Sequence, residues 1–213
     1  MSWALSFRVM GIPVEVQPAF WVGTFALASS RLDQPHYLLS WVAVVFVSVL
    51  VHEVGHALVF QRLGHRASIE LGALGGAAMG AGRGLTATGS LLVSVAGPLA
   101  GLTVGIPLLL LSLIPGLTDI PFFGVVLSDL VFVNIAWGLL NLLPVYPLDG
   151  GQATLAILSL KSWATPTRTV HKISIGVAIV GSLVALLLGE LYVAAGFAAL
   201  AGYNVVILSR ISR

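Results

Sequence analysis

The chain has 213 residues, of which 58% are hydrophobic and 8% are charged, whereas about a quarter of the residues in an ordinary soluble domain carry charge. So few charges cannot cover a water-exposed surface, which excludes a soluble enzyme, a disordered chain and a nucleic-acid-binding domain. The net charge of +2 indicates little about partners. Because the sequence has no cysteine, it also excludes disulfides, thiolate metal ligands and a cysteine nucleophile.

Apolar segments of the length that a membrane helix needs recur along the chain. The hydrocarbon core of a bilayer requires about 20 apolar residues per helical span. The first candidate span, residues 18–30, is short unless residues 12–17 extend it. We therefore expect an all-α polytopic membrane protein with six transmembrane helices, forming a single domain over residues 1–213, with a core at 7–160 and a C-terminal helix pair at 165–213. The six candidate spans are residues 18–30, 37–63, 90–115, 122–143, 170–189 and 191–209.

The basic residues outside these spans are distributed unevenly. Nine of the ten Lys and Arg residues fall on one side of the predicted spans, and only Arg31 lies on the other side, with the acidic residues Asp33, Asp119 and Glu190. The positive-inside rule places the basic side, and with it both termini, in the cytoplasm. An even number of spans agrees with this placement. The nine residues are Arg8, Arg62, Arg66, Arg83, Lys161, Arg168, Lys172, Arg210 and Arg213.

Residues 66–88, between the second and third spans, are too rich in glycine for a stable helix. The run that starts at Ser68 could begin a strand, so we expect a re-entrant loop or a β-hairpin. Irregular backbone at membrane depth must be buried in protein or line a wet cavity. An exposed strand edge here could pair with an unwound substrate; the alternative is a flexible re-entrant turn.

The second span contains the pattern H-E-x-x-H, formed by His52, Glu53 and His56. Its two imidazoles lie four residues apart on one helix face, where both can bind one zinc ion, and Glu53 can act as general base on a water molecule at the metal. Ionisable groups within a membrane span indicate a functional site. The alternative is a cluster of hydrogen-bonded polar side chains that only holds helices together, but such a cluster does not need this spacing.

The depth of the motif predicts how water reaches it. His56 and His52 lie roughly 10 and 17 Å from the cytoplasmic end of the span, at 1.5 Å per residue. Peptide hydrolysis at that depth needs water. We therefore expect a polar cavity that opens to the cytoplasm.

A catalytic zinc ion usually has three protein ligands and an open fourth position, so two histidines are not enough. Asp149 follows the fourth span, at the cytoplasmic end of its helix and thus at the same end as the histidine pair. Pro144 and Pro147 break the helix before it, and Gly150 allows a close turn. We favour Asp149 as the third ligand. The alternative is that Asp149 caps the N-terminus of a following half-helix.

Together these motifs resemble the site-2 protease family of intramembrane zinc metalloproteases. The H-E-x-x-H pattern combines with Asn141-x-x-Pro144-x-x-Pro147-Leu148-Asp149-Gly150, and residues 94–98, Ser-Val-Ala-Gly-Pro, resemble a third signature of the family. The order and spacing match across roughly residues 7–160. The sequence shows neither the inserted periplasmic peptide-binding (PDZ) domain nor the nucleotide-sensing (CBS) tail of some relatives, so we expect the minimal form.

The resemblance implies one zinc ion per chain, bound by His52, His56 and Asp149, with Glu53 as the catalytic acid and base. It also implies that Asn141 stabilises the substrate carbonyl or its oxyanion, which a side-chain amide can do by donating a hydrogen bond. The alternative role of Asn141 is an interhelical hydrogen bond.

Four other polar residues lie within or near the spans. Asn134 shares a helix face with Asn141 and is expected to hold helices together. Ser48 lies one turn before His52 and is expected to be a packing residue, with a contact to the metal site as the alternative. Asp129 is expected to be a solvated or interhelical polar group, and His171 to lie at the membrane interface.

We therefore expect a zinc endopeptidase that cleaves transmembrane or juxtamembrane segments of membrane-anchored proteins within the lipid bilayer, as in regulated intramembrane proteolysis. Nucleic acid is not an expected partner. One alternative is a membrane metal-ion transporter, but a transporter should show ligands along a path open to both faces. Another is an inactive relative that binds membrane partners, and the presence of Glu53 beside both histidines weakly opposes it.

Overall fold

The computed structural model describes residues 3–73, 75–82 and 84–211. Arg83 and Arg213, which contribute to the charge asymmetry, lie outside the described residues. In chain order the strands are β1 (Leu5–Val9), β2 (Ile12–Val16), β3 (Arg66–Gly72) and β4 (Gly75–Ala81). The helices are α1 (Pro18–Leu27), α2 (Pro35–Arg62), α3 (Ala87–Ser112), α4 (Pro121–Val131), α5 (Gly138–Asn141), α6 (Asp149–Leu160), α7 (Pro166–Leu187) and α8 (Leu191–Ile211). A 3-10 turn covers Ser29–Arg31, and a π-helical segment, Phe132–Trp137, joins α4 to α5.

Five of the six predicted spans correspond to helices that are long and apolar enough to cross a membrane. They are α2, α3, the continuous helix Pro121–Asn141, α7 and α8, and each has 21 to 28 residues in the described part of the chain. The first predicted span differs, because α1 has only 10 residues. At 1.5 Å per residue, α1 is about 15 Å long, or half of a hydrocarbon core.

A four-stranded sheet corrects the expectation of an all-α fold. Its strand order is β1-β2-β3-β4; β2 pairs in parallel with β3, and the other neighbours are antiparallel. Within β2, Ile12, Val14 and Val16 are buried and the residues between them are not, which is the two-residue period of a strand with one covered face. The glycine-rich segment contains β3 and β4, so its structure is the hairpin alternative.

The sheet lies along α2, and this explains why α1 is short. A Cβ built on Gly76 at the start of β4 would meet Glu53, and one on Gly80 would meet Phe60. Strand β4 therefore runs in the direction of α2, and β3, its antiparallel neighbour, runs back along it. Over its 7 residues, β3 covers about 20 Å of α2. Since β2 is parallel to β3 and leads into α1, the helix has only the remaining length of α2 to follow.

Contacts within the chain define two compact units. One comprises Met1–Gly84 and Ala96–Leu140 and contains the sheet, α1, α2, α4 and most of α3. Its core joins the inward face of the sheet to α2, through residues that include Val14, Ile69 and Val45. The other comprises Leu85–Val95 and Asn141–Arg213 and contains α6, α7 and α8. Its apolar core includes Val145, Ala178 and Ala201. The expectation that both form one domain over residues 1–213 stays a prediction.

An ion pair stabilises the first unit away from the histidines. Arg31, in the 3-10 turn, donates hydrogen bonds of 2.6 and 2.8 Å to the two carboxylate oxygens of Asp129 on α4. The bond to Asp129 raises the pKa of the Arg31 guanidinium above its ordinary value. The guanidinium also lies 5.2 Å from the ring centroid of Trp41 on α2. Asp129 is therefore an interhelical group, one of the two roles expected from the sequence.

Candidate active site

His52 and His56 occupy one face of α2, in its C-terminal half and within a predominantly apolar stretch. Their Nε2 atoms are 3.1 Å apart, and their rings are nearly perpendicular, with an interplanar angle of 75°. His56 is 6% exposed and Glu53 is 4% exposed. The i, i+4 spacing read from the sequence thus brings the same nitrogen of both imidazoles to a common point.

The two Nε2 atoms are spaced as a shared metal ion would require. Zinc binds imidazole nitrogen at about 2.0–2.1 Å in tetrahedral geometry, which separates two such nitrogens by about 3.3 Å. The observed 3.1 Å is close to this value. The same distance also suits a hydrogen bond between the rings. The chemistry of the other donor groups therefore decides whether the pair suits a metal ion. The carboxylate of Glu53 lies on the same helix, the sequence offers no thiolate, and imidazole with carboxylate is a donor set that suits zinc in a catalytic site.

Glycine residues let neighbouring backbone approach the histidines. A Cβ on Gly97 of α3 would overlap Nε2 of His56. A Cβ on Gly55 of α2 would lie 2.6 Å from the backbone oxygen of Ala96. Helices α2 and α3 therefore pack backbone to backbone beside the imidazoles. The 94–98 signature thus contains a residue, Gly97, that has to be glycine for His56 to keep its position.

The sheet also approaches the carboxylate of Glu53 through a glycine residue. A Cβ on Gly76 would overlap Cγ of Glu53 and lie 2.6 Å from its Oε1. Gly76 belongs to β4, which is an edge strand of the described sheet. The backbone of an edge strand therefore passes directly beside the carboxylate that the sequence identified as the candidate general base.

Asn134 forms the interhelical contact that the sequence predicted for it. Its Nδ2 donates hydrogen bonds to Ser48 Oγ on α2, at 2.8 Å, and to the Leu130 backbone oxygen, at 2.9 Å. Asn134 is 3% exposed and lies in the π-helical segment. Ser48 therefore does more than pack: it connects the turn before His52 to the helix that contains Asn134.

Asp149 and Asn141 belong to the second unit. Asp149 is the first residue of α6, and the N-cap is Leu148, whose side chain forms no capping hydrogen bond. The alternative that Asp149 is the N-cap is therefore wrong, although a carboxylate in the first turn still suits the helix dipole. Asn141 ends α5, and both side chains are half-buried. Of the metal ligands expected from the sequence, His52 and His56 thus belong to the first unit and Asp149 to the second.

We expect Gly97→Ala to lower the affinity of the purified protein for Zn²⁺ by about 10- to 100-fold, the range seen when the support of a metal ligand is disturbed. The added methyl group must displace His56. Competition with a fluorescent zinc chelator measures the affinity. Gly176→Ala on α7 is the matched control, because its Cβ would meet no atom within 4 Å. Equal affinities in the two variants would contradict the proposed role of Gly97.

Comparison with known proteins agrees with the motifs. Residues 122–188 match the model of Peptidase family M50. The zinc metalloprotease MJ0392 of Methanocaldococcus jannaschii is 33% identical over 187 residues, covering 85% of this chain and 53% of the relative. Rip3 of Mycobacterium tuberculosis is 33% identical over 149 residues, covering 68% of this chain and 36% of the relative. This chain thus spans about half of the first relative and about a third of the second.

A solved structure extends the similarity to the fold. The site-2 protease from Methanocaldococcus jannaschii matches with a TM-score of 0.64 and 26% identity, covering 95% of this chain and 94% of that chain. With five long apolar helices and relatives of this kind, the chain is an integral membrane protein. It belongs to peptidase family M50, the family of the site-2 proteases.

Proposed function

We propose that the protein is an intramembrane zinc endopeptidase that cuts membrane-anchored proteins within or next to a transmembrane segment. The observation that carries this proposal is the pair of Nε2 atoms 3.1 Å apart on a buried face of α2, with the Glu53 carboxylate on the same helix. The names of MJ0392 and of the Methanocaldococcus site-2 protease support the reaction class. Family membership supports a membrane substrate.

The proposed ligands of one zinc ion are His52, His56 and Asp149. Two imidazoles and one carboxylate leave the fourth position of a tetrahedral ion open, as hydrolytic zinc sites require. When bound, zinc supplies a Lewis acid that activates water and polarises the scissile carbonyl. The five histidines and the absence of cysteine in the sequence support an N and O ligand set.

In this proposal Glu53 moves the protons of the reaction. Its carboxylate takes a proton from the attacking water as the water oxygen bonds to the peptide carbon. It then gives that proton to the peptide nitrogen as the C–N bond breaks, so a carboxylic acid and an amine leave. Asn141 Nδ2 donates a hydrogen bond to the carbonyl oxygen while negative charge develops there.

Strand β4 supplies a means of presenting the substrate. A helical substrate shields its own peptide bonds, so a segment must unwind before it can be cut. We propose that the unwound segment pairs with the free edge of β4. The passage of Gly76 beside Glu53 supports this arrangement, because a peptide held on that edge has its backbone close to the general base.

The proposed topology has six crossings, with both termini and the opening of the site in the cytoplasm. Five crossings are the long apolar helices. The first is shared between β2 and α1, whose combined course follows the length of α2. Seven of the nine basic residues on the proposed cytoplasmic side belong to the described part of the chain, and their excess supports this orientation.

We expect Glu53→Gln to reduce cleavage of a membrane-anchored reporter by about 100- to 10,000-fold, because the amide cannot accept the proton. The substrate is unidentified, so the assay uses a panel of single-span reporters with helix-destabilising residues, reconstituted with the protein in liposomes. Zinc content should remain at the level of the unaltered protein. The control is Glu190→Gln, an exposed carboxylate between α7 and α8.

Other outcomes of this assay separate the rival functions. Normal cleavage by Glu53→Gln would contradict the mechanism. Zinc flux across sealed liposomes that depends on His52 would instead indicate a transporter. Zinc binding with no cleavage of any reporter by the unaltered protein would favour an inactive relative.

We expect Gly76→Ala to lower the cleavage rate by up to about 100-fold while zinc binding stays unchanged, since a displacement of the general base by about 1 Å has an effect of this size. The new methyl group would overlap Glu53. Gly72→Ala, in the neighbouring strand β3, is the matched control because its Cβ would meet nothing within 4 Å. Equal rates for the two variants would argue against the contact.

A further inference from the structure

Three buried polar side chains on α7 and α8 have no part in the proposed chemistry. His171 is 3% exposed, and Ser174 and Asn204 are both fully buried at 0%. The side chain of His171 is thus buried within the protein, and the expectation that it lies at the depth of the membrane interface stays a prediction. Polar groups inside apolar helices are unfavourable unless they are hydrogen-bonded. Their partners therefore indicate what these side chains do.

Both helices direct their hydrogen bonds to the backbone of a single loop residue. The N–H of Tyr146 donates to Ser174 Oγ at 2.8 Å, and Asn204 Nδ2 donates to the Tyr146 backbone oxygen at 2.5 Å. One helix thus satisfies the backbone donor of Tyr146, and the other satisfies its backbone acceptor. A bond between His171 and Asn204 joins α7 to α8, and the two bonds to Tyr146 attach the loop to both helices.

His171 fixes the orientation of the Asn204 amide. His171 Nδ1 lies 2.7 Å from Asn204 Oδ1, and since an amide oxygen can only accept, Nδ1 carries the proton. The other end of the amide then donates to Tyr146 and, at 2.8 Å, to the Leu200 backbone oxygen. The Tyr146 ring also contacts the His171 ring edge-on, with centroids 5.2 Å apart.

The loop that these side chains hold leads directly into Asp149. A Cβ on Gly151 would overlap the backbone nitrogen of Tyr146, so the loop rests on the first turn of α6 without intervening side chains. The Leu148 N–H donates to the Val145 oxygen at 2.8 Å, which closes a tight turn before Asp149. Val145 is 0% exposed in the apolar core of the same unit. Pro147 has no N–H, so its neighbour Tyr146 is where the loop can be held by both backbone groups.

We propose that Ser174 and Asn204, with His171 behind Asn204, are positioning residues that set the Asp149 carboxylate for metal binding. This inference rests on the proposed function, in which Asp149 is a ligand. Groups that orient a metal ligand contribute to metal affinity even though they do not touch the ion. Helices α7 and α8 therefore support the metal site, because they hold the loop that leads into Asp149.

The test compares metal binding in single variants of the full-length protein. Ser174→Ala and Asn204→Leu remove one hydrogen bond to Tyr146 each, and we expect each to lower Zn²⁺ affinity about 10- to 100-fold. We also expect each to change the visible absorption spectrum of the Co²⁺-loaded protein, which reports ligand geometry. Ser182→Ala is the matched control, because Ser182 Oγ bonds the Ala194 backbone oxygen, at 3.0 Å, and so joins the same two helices away from the loop. It should change neither readout.

Asp149→Asn distinguishes failure of this inference from failure of the proposed function. If Asp149→Asn alters affinity and spectrum while Ser174→Ala and Asn204→Leu do not, the positioning role is wrong and the ligand assignment stands. If Asp149→Asn itself leaves both unchanged, Asp149 is not a ligand and the proposed site fails. If Ser182→Ala has the same effect as Ser174→Ala, the effect belongs to helix packing, and the positioning role is again wrong.

Discussion

The structure depends on placing two imidazoles one turn apart, with a carboxylate next to the first of them, inside a predominantly apolar helix. Such groups are unfavourable in hydrocarbon unless their surroundings satisfy them. Around His52, Glu53 and His56 the neighbouring elements approach through glycine: Gly97 of α3 beside His56, and Gly76 of β4 beside Glu53. Small residues at these contacts leave the reactive atoms in place and let the neighbouring backbone pack directly against them. The position of the polar groups therefore depends on the close packing around them.

The sheet follows from the same constraint. A glycine-rich hairpin could not lie at membrane depth with unpaired backbone groups. Pairing with β2 and β4 satisfies the backbone groups of β3 on both sides and leaves one edge of β4 for the proposed substrate, and packing along α2 buries one face of the sheet against residues such as Val45. The arrangement brings an edge strand to Glu53 and shortens α1 to 10 residues. The sheet thus pairs backbone groups of the protein and also provides the edge strand that we propose binds the substrate peptide.

Much of this could be predicted from the sequence, because the signals are local. Hydropathy located five long helices, and the spacing of His52 and His56 placed their rings on one face. The strand at residues 12–16 was harder to predict. This five-residue alternation lies next to a predicted span and resembles an extension of that span, and only its pairing with β3 identifies it as a strand. The roles of Gly97 and Gly76 depend on contacts between residues far apart in the chain. The burial of the His171 side chain could not be predicted, because the sequence does not show that Asn204 and the Tyr146 ring contact it.

The metal site is tested most directly by X-ray absorption at the zinc edge on the purified protein in lipid nanodiscs. We expect one zinc ion per chain with two imidazole ligands at about 2.0–2.1 Å and oxygen in the remaining positions. We also expect that exchanging His52 or His56 singly removes one imidazole from the spectrum. A zinc ion with no imidazole ligand, or with three, would contradict the proposed site, as would a protein that binds no zinc with both histidines intact.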